Sequence, residues 1–355
     1  MADQLEAVES RKKPGGFDRA LTLGSLMFCG AVMGIYLTRT DAFAAVTVCP
    51  PWVWSVPGLA AAIVVRVRRR SKGAFRLIAV VWGIYLIATA DTPAALVRSA
   101  SRSIAGQPLI QSPRETAVRV ASLNCASFGH RSARDIVGSG AQIVLLQESP
   151  GPEDTAALAR KLFGERGGHL WSSDASIVAD GVVTPSPFND RPDSHSVCAR
   201  VQLTSGPVIE VVSLRLEPAI VRLDFWSAAC WTSQTQNRRV RRAQLSRIAD
   251  RLANLPQSTP LVLGGDFNAP AGDAIFRQLT PRLRDAFSEG GVGWGNTIIN
   301  EAPFARIDQI WIDDHWQARE VRAQRTLGSD HRMVIADLTL KAAGPHDADA
   351  AVNPK

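Results

Sequence analysis

The chain opens on long apolar runs and then changes to short apolar segments set between polar ones. Residues 20–38 carry no charge, and neither do residues 42–65, a stretch that contains Pro50, Pro51 and Pro57. A third run spans residues 77–90 and reaches Val97 only by admitting Asp91 and Pro93. A helix needs about 20 apolar residues to cross a bilayer. The first two runs qualify by length and the third is marginal. The three prolines predict a kinked or broken second helix. A cleavable signal peptide is the alternative for the first run, with Arg11, Lys12 and Lys13 as its basic segment. The run is long, no small-x-small site closes it, and two more runs follow, so a retained anchor is preferred.

Beyond residue 115 the period shortens. Residues 118–124, 175–179, 195–203 and 208–216 read as strands. Residues 142–147 (QIVLLQ) and 260–264 (PLVLG) are continuous apolar runs, the pattern of strands buried on both faces. Residues 306–312 and 333–340 are late strands. Helices are predicted at 132–140 and 153–166, and at 237–254, where Leu245, Ile248 and Leu252 fall at helical spacing. The mixture defines an α/β chain. Residues 1–19 read as an N-terminal tail and 20–97 as a membrane region with two to three spans. Residues 98–114 read as a linker, 115–341 as the folded domain and 342–355 as a disordered tail.

Charge sharpens this division. The formal net charge is +7, but +6 of it lies in residues 1–100 and only +1 in the remainder. The folded domain therefore carries no bulk electrostatic footprint for nucleic acid. Basic clusters precede the first run and fill the 66–76 loop, and such clusters stay inside. The tail is then cytoplasmic. If the third run spans, the domain faces the extracytoplasmic side of a bacterial inner membrane. Only 6 of the 40 basic residues are Lys, a composition that fits a GC-rich bacterial genome. Five cysteines without a CxxC pair argue against zinc. A Cys198–Cys230 disulfide is the one pairing considered for an extracytoplasmic domain.

Candidate chemistry gathers at strand ends. Asn124, Glu148, Asp266 and Asn268 close apolar strands, and Asp308 lies within a late one. A strand fixes the direction of its terminal side chains, so neighbouring strands collect such groups at one sheet edge. Carboxylates placed there suit a divalent cation, and a cation there offsets phosphate charge.

The segments SLNCA (122–126), LLQES (145–149), GGDFNAP (264–270), RIDQIWI (306–312) and GSDHRMV (328–334) resemble, in order and spacing, the endonuclease/exonuclease/phosphatase superfamily of metal-dependent phosphoesterases. The resemblance implies a four-layer α/β sandwich, with two mixed sheets face to face and helices outside. It implies Mg²⁺, with Mn²⁺ as the alternative, held by Glu148, Asn124 and Asp330. It implies that Asp266 activates the attacking water and that Asn268 orients phosphate or water. His331 contacts the phosphate, oriented by Asp308. Nuclease-like members carry a histidine where this chain has Arg215. Arginine holds phosphate bidentately but is no general acid near neutral pH. Asp174 aligns loosely with a further acidic position.

Other features have plainer readings. Arg238, Arg239, Arg241, Arg242 and Arg247 sit on the predicted helix 237–254, where such runs are usually solvated rather than anion-binding. Phe225, Trp226 and Trp231 belong to an insertion that is either packed, membrane-dipping or substrate-facing. Trp294 is a candidate substrate wall. The expected activity is a membrane-anchored phosphoesterase acting on a phosphodiester, phosphomonoester or pyrophosphate, with the bilayer and a lipid or nucleic-acid phosphate as partners. The alternatives are an extracytoplasmic nuclease of DNA or RNA and a catalytically inactive phosphate-binding sensor.

Overall fold

The structure is a computed structural model that describes residues 15–68, 72–105, 117–127, 129–187, 195–220 and 222–341. The tail predicted at 342–355 lies outside the described residues. Helix α1 (Gly16–Thr38) forms from the first run. The second run is broken as its prolines predict. A short turn and α2 (Ala44–Thr47) are followed by α3 (Pro51–Val67), bent by 65° at the break. Pro51 begins α3, where a missing N–H costs nothing because the first turn has no internal acceptor for it. The third run becomes α4 (Lys72–Thr89), lengthened by starting at Lys72 rather than Leu77. Helices α1 and α4 are each long and apolar enough to cross a membrane, and the bent pair adds a third candidate. Val32, Tyr36, Ala62, Val65, Ile78, Trp82 and Tyr85 form the interior of this bundle. Its outside keeps Met27, Ile63, Val80, Ile84 and Ile87 exposed, so the helices are apolar on all sides.

Helix α5 (Thr92–Ala105) occupies the first part of the expected linker; residues 106–114 lie outside the described residues. Its Arg98 donates to the carbonyl of Gly291 at 2.8 Å, and Arg102 pairs with Glu320 at 3.0 Å. Those bonds hold it against the folded domain.

The domain contains strands β1 (Ala117–Asn124), β2 (Ile143–Gln147), β3 (Gly167–Trp171), β4 (Ala175–Pro185), β5 (Ser196–Leu203), β6 (Val208–Arg215), β7 (Leu261–Asp266), β8 (Arg284–Asp285), β9 (Asp308–Ile312), β10 (Trp316–Gln324) and β11 (Met333–Leu340). They form one curled mixed sheet in the order β10-β11-β1-β2-β4-β5-β6-β7-β9-β8, with β3 beside β4. The resemblance implied two separate sheets. Here β4 joins the two halves, pairing with β2 through Ala175–Ala179 and with β5 from Gly181 onward.

Alternation along the strands sets the layers. Val120, Ile143, Leu145 and Ile177 from one half meet Ala199, Val211, Val262 and Ile310 from the other. On one outer face Leu123, Val144 and Leu146 cluster with Leu158 and Ala159 of α7 (Pro152–Phe163), near the short α6 (His130–Ala133). On the other, Val212, Leu214 and Leu263 cluster with Leu245, Ile248 and Leu252 of α8 (Ala228–Ala253). The last short helix, α9 (Ala286–Gly290), packs on β10. Strand β10 escapes sequence detection because Arg319, Glu320 and Arg322 interrupt its apolar pattern, as suits an edge strand.

Gly265 fixes the spacing of β6 and β7 just before Asp266. It has φ 146°, and a Cβ there would fall 1.9 Å from the Leu214 carbonyl oxygen. Gly265→Ala is expected to cost at least about 1–3 kcal/mol in strain, lowering the melting temperature by roughly 2–4 °C per kcal/mol for a domain of this size. A melt within error of wild type would contradict this.

The five cysteines are buried and none forms a disulfide. The Cys198–Cys230 disulfide is therefore not formed. Cys198 belongs to the cluster beneath α8, whereas the Cys230 thiol points to the Arg222 carbonyl, 3.6 Å away.

The arginines of α8 divide by burial. Arg239 and Arg247 are exposed. Arg238 is 1% exposed, pairs with Asp273 at 2.9 Å, and donates to Thr40 O and to the Thr47 hydroxyl. Arg242 forms two bonds with Asp41, at 2.5 and 2.6 Å. Arg241 is buried and donates to Asn237. Arg238 and Arg242 therefore fasten the domain to the loop between α1 and α3 instead of facing solvent. The aromatic insertion does the same in part. Phe225 lies 5.7 Å from Trp54 and Trp231 lies 6.3 Å from Phe43, while Trp226 stays 88% exposed.

Candidate active site

Strands β1, β2, β6 and β7 all end at one edge of the curled sheet, and β9 and β11 begin there. That polarity brings sequence-distant residues together. Asn124 ends β1, Glu148 follows β2, Arg215 ends β6 and Asp266 ends β7. Asp308 opens β9 and His331 precedes β11. In register, Arg215 lies opposite Asp266, and Asp266 opposite Asp308.

Glu148 and Asn268 both have positive φ, 43° and 49°. Each lies one turn past a strand end, where the chain departs sharply. Asn268 donates through its backbone N–H to Asp266 Oδ1 at 2.9 Å. Its side-chain amide donates to Asp266 Oδ2 at 3.1 Å and to Leu216 O at 2.9 Å. The amide of Asn124 bridges two carboxylates, donating to Asp266 Oδ2 at 3.0 Å and Glu148 Oε1 at 3.2 Å. His331 Nδ1 lies 2.8 Å from Asp308 Oδ2, which leaves Nε2 as the ring nitrogen for a substrate. Arg215 lies 2.9 Å from Glu148 and 3.3 Å from Asp174. The loosely aligned Asp174 is thus drawn to the site through Arg215. Asp330 is exposed, and its charge helps to raise the neighbouring His331 imidazole.

Two supporting residues carry no sequence signal of their own role. The Ser329 hydroxyl donates to Asn124 O at 2.7 Å and accepts the His331 N–H at 3.0 Å. The Thr297 hydroxyl accepts the Asp308 N–H at 3.2 Å. Ser329 lies inside the GSDH segment, so its position was visible but its bonds were not.

Electrostatics follow from burial. Asp266 is buried beside Asp308, and both effects push its carboxyl up to about 7 against the hydrogen bonds from Asn268 and Asn124. Burial alone would lower His331, but Asp308, Asp266 and Asp330 outweigh it and raise the imidazole to about 10. Burial opposes the charge on Glu148, yet the Ser127 N–H, the Asn124 amide and Arg215 hold it below the usual carboxylate range.

The residues fit a hard divalent cation. Carboxylate oxygens of Asp266 and Asp308 lie within 4.8 Å of each other and of a ring nitrogen of His331, which as a cation borders such an ion without binding it. Asp308 Oδ1 is buried with no hydrogen-bond partner, and a buried anionic oxygen left unpaired is costly. Glu148 and Asn124 adjoin this group through the Asn124 bridge.

A family model described as the Endonuclease/Exonuclease/phosphatase family matches residues 121–331. The chain belongs to that family and is a phosphoric ester hydrolase of the metal-dependent kind. Solved structures with a similar fold include an endonuclease/exonuclease/phosphatase from Beutenbergia cavernae, at 18% identity and TM-score 0.47 over 64% of this chain and 72% of that one. A family protein from Bacteroides thetaiotaomicron matches at 13% identity and TM-score 0.47, over 64% of this chain and 100% of that one. A mannosyl-6-phosphatase from the same organism matches at 14% identity and TM-score 0.46, over 62% of this chain and 99% of that one. No curated protein matches.

Proposed function

We propose that this enzyme is a membrane-anchored, Mg²⁺-dependent phosphoesterase whose substrate is a lipid-borne phosphate, such as a phospholipid head group or a polyprenyl phosphate or pyrophosphate. The observation that carries this reading is where the bundle attaches. Trp52 donates to Phe304 O at 3.0 Å, Arg306 pairs with Asp91, and Arg238 pairs with Asp273. Phe304, Arg306 and Asp273 lie just beyond the strand ends that carry Asp266 and Asp308. The bundle is therefore fastened beside the site edge, and a phosphate carried by a lipid at the membrane surface starts close to the catalytic groups. Arg66 and Arg68 lie at the far end of α3 from the domain, so the rule that basic loops stay inside puts the domain outside.

In this reading Asp266 takes a proton from the attacking water, held in place by the Asn268 and Asn124 amides. Arg215 holds phosphate oxygens and Asn268 orients them. His331 is protonated at neutral pH and offsets charge that develops on the phosphoryl group or leaving oxygen, with Asp308 fixing its tautomer and direction. Glu148, Asn124 and the Asp308 oxygen left without a partner would hold Mg²⁺, which supplies positive charge against the phosphoryl oxygens.

The test is phosphate release by the full chain with Mg²⁺ from lipid pyrophosphate, phosphatidylinositol phosphate, sphingomyelin and plasmid DNA. Turnover of a lipid, lost in Asp266→Ala, is the expected result. Turnover of plasmid alone would replace the lipid reading with a tethered nuclease. The pH–rate profile should be bell-shaped. The rate rises as Asp266 loses its proton and falls as His331 loses its proton, both limbs lying below the metal-free values of about 7 and about 10 because Mg²⁺ adds positive charge beside each group. His331→Gln should remove the alkaline fall; a variant that keeps it would assign the alkaline limb to another group.

A further inference from the structure

The segment between β6 and α8 leaves the site edge just after Arg215 and turns at residues 224–227 before α8 begins. The Ser227 N–H donates to Asp224 O at 2.9 Å, and the Trp231 indole N–H donates to Phe225 O at 2.8 Å. The turn is thereby pinned to the start of α8. Its two central side chains part. Phe225 is half-buried, with its ring centroid 5.7 Å from that of Trp54 and 6.5 Å from that of Trp231. Trp226 is 88% exposed, and Leu223 before it is 64% exposed. The neighbouring charges, Arg222 and Asp224, pair with each other at 2.9 Å. An exposed apolar side chain is ordinary by itself; the level of this turn along the bundle gives it meaning.

Trp54 sets that level. Its indole N–H donates to the Tyr36 hydroxyl at 3.1 Å, and its ring lies 6.4 Å from that of Phe28. Phe28 stands about 15 Å of helix before Thr38, the domain-facing end of α1. The Trp54 ring therefore lies alongside the last turns of α1, and Phe225 packs on it there. Trp231, the other partner of Phe225, meets Phe43 at 6.3 Å. Phe28 and Phe43 are themselves 37% and 39% exposed. Leu223 and Trp226 thus continue the apolar outside of the bundle. They do so beside a helix long and apolar enough to cross a membrane, not above its end. Tryptophan is favoured at that depth, where its ring meets acyl chains and its N–H meets water and head groups.

We infer that the turn at residues 223–226 inserts into the bilayer boundary, with Trp226 among the head groups and upper acyl chains at a depth of about 5–10 Å, as interfacial apolar faces do. The domain then holds the membrane at a second place beside the helices. The turn is reached from Arg215 by a short segment, so insertion fixes the height and tilt of the catalytic edge over lipid phosphates. This placement rests on the membrane-anchored reading given above.

The experiment places an environment-sensitive nitrobenzoxadiazole label on single introduced cysteines in the full chain, reconstituted in phosphatidylcholine–phosphatidylglycerol nanodiscs. Trp226→Cys reports the tip of the turn, and Leu223→Cys does so with the tryptophan retained. Val80→Cys, on the exposed face of α4, is the membrane control, and Lys161→Cys, exposed on α7, is the aqueous control. The five native cysteines are buried, so wild type is the labelling blank, and each variant is checked by thermal melting. Lipids spin-labelled near the head group or deep in the acyl chain, and aqueous iodide, are the quenchers. The labels at 226 and 223 should be quenched by the shallow lipid at least about twofold more than the label at 161, and more than by the deep lipid, as a site at the head-group boundary requires. They should also be shielded from iodide. Quenching at 226 and 223 equal to that at 161, with the label at 80 quenched by the deep lipid, would overturn the inserted turn and leave the anchor standing. Labels shielded from iodide yet untouched by either lipid would also overturn it, because protein and not lipid would then cover the turn. If the labels at 80, 223 and 226 all behave as the label at 161, the membrane-anchored reading itself falls.

Discussion

Replacing Asp266 by Asn is expected to cut turnover by about 10²–10⁴-fold, the usual share of a positioned general base, while stabilising the metal-free protein. The two effects have one origin. Asp266 is buried beside Asp308, and its folded-state carboxyl is raised to about 7, well above the usual aspartate value of about 3.9. A group raised in this way contributes most stability below its unfolded value and loses it as pH rises through the folded value. The metal-free wild type should therefore lose melting temperature between about pH 4 and pH 7. Asp266→Asn removes the ionisation, so its melting temperature should decline less over the same window and exceed wild type at pH 8. Mg²⁺ should raise the wild-type value at pH 8 more than that of the variant. Calorimetry with and without chelator measures this directly. A variant less stable than wild type at pH 8 without metal would show that the Asn268 and Asn124 bonds outweigh the repulsion. Retained turnover would remove Asp266 from the role of base.

Arg238→Ala is expected to destabilise the protein by about 3–5 kcal/mol, the cost of breaking a buried ion pair from one side. Arg238 and Asp273 are each 1% exposed at their side chains, so the mutation strands a carboxylate in the interior. Asp273 also accepts the Ile275 N–H at 3.0 Å, capping a short turn after the GDFNAP segment. The damage therefore reaches the loop that follows Asn268. Arg238→Met combined with Asp273→Asn should recover much of the loss, because no uncompensated charge remains and an asparagine still caps. Arg242→Ala should cost far less, since its partner Asp41 is partly exposed and surface pairs contribute only about 0–1 kcal/mol. Chemical denaturation of the three variants separates these cases. Equal losses for Arg238→Ala and Arg242→Ala would show that the interface does not depend on the buried pair.

Much of the site was legible because its residues sit in short, ordered segments. Asn124, Glu148, Asp266, Asn268, Asp308 and His331 all converge at one edge, as strand-end positions require. Arg215 joins them, at the position where the resemblance implied a histidine in nuclease-like members. Asp330 neighbours His331 in sequence and acts on it through its charge, but unlike the others its side chain is exposed. Ser329 and Thr297 were not legible as supports, since a hydroxyl that bonds a distant backbone group leaves no local pattern.

The sequence by itself determined the apolar runs, the break in the second of them, the buried strands and which polar side chains stand at the strand ends. Each depends on composition or period over a few neighbouring residues. Tertiary structure alone decided what those elements meet. Arg238 and Arg239 are neighbours on one helix, yet the first is buried against Asp273 and the second exposed, because only the first faces the α1–α3 loop. The same holds for Trp52 and Trp294, which are 242 positions apart and whose ring centroids come within 6.3 Å of each other. Local pattern sets which face of an element is apolar or charged; which partner covers that face depends on contacts distant along the chain.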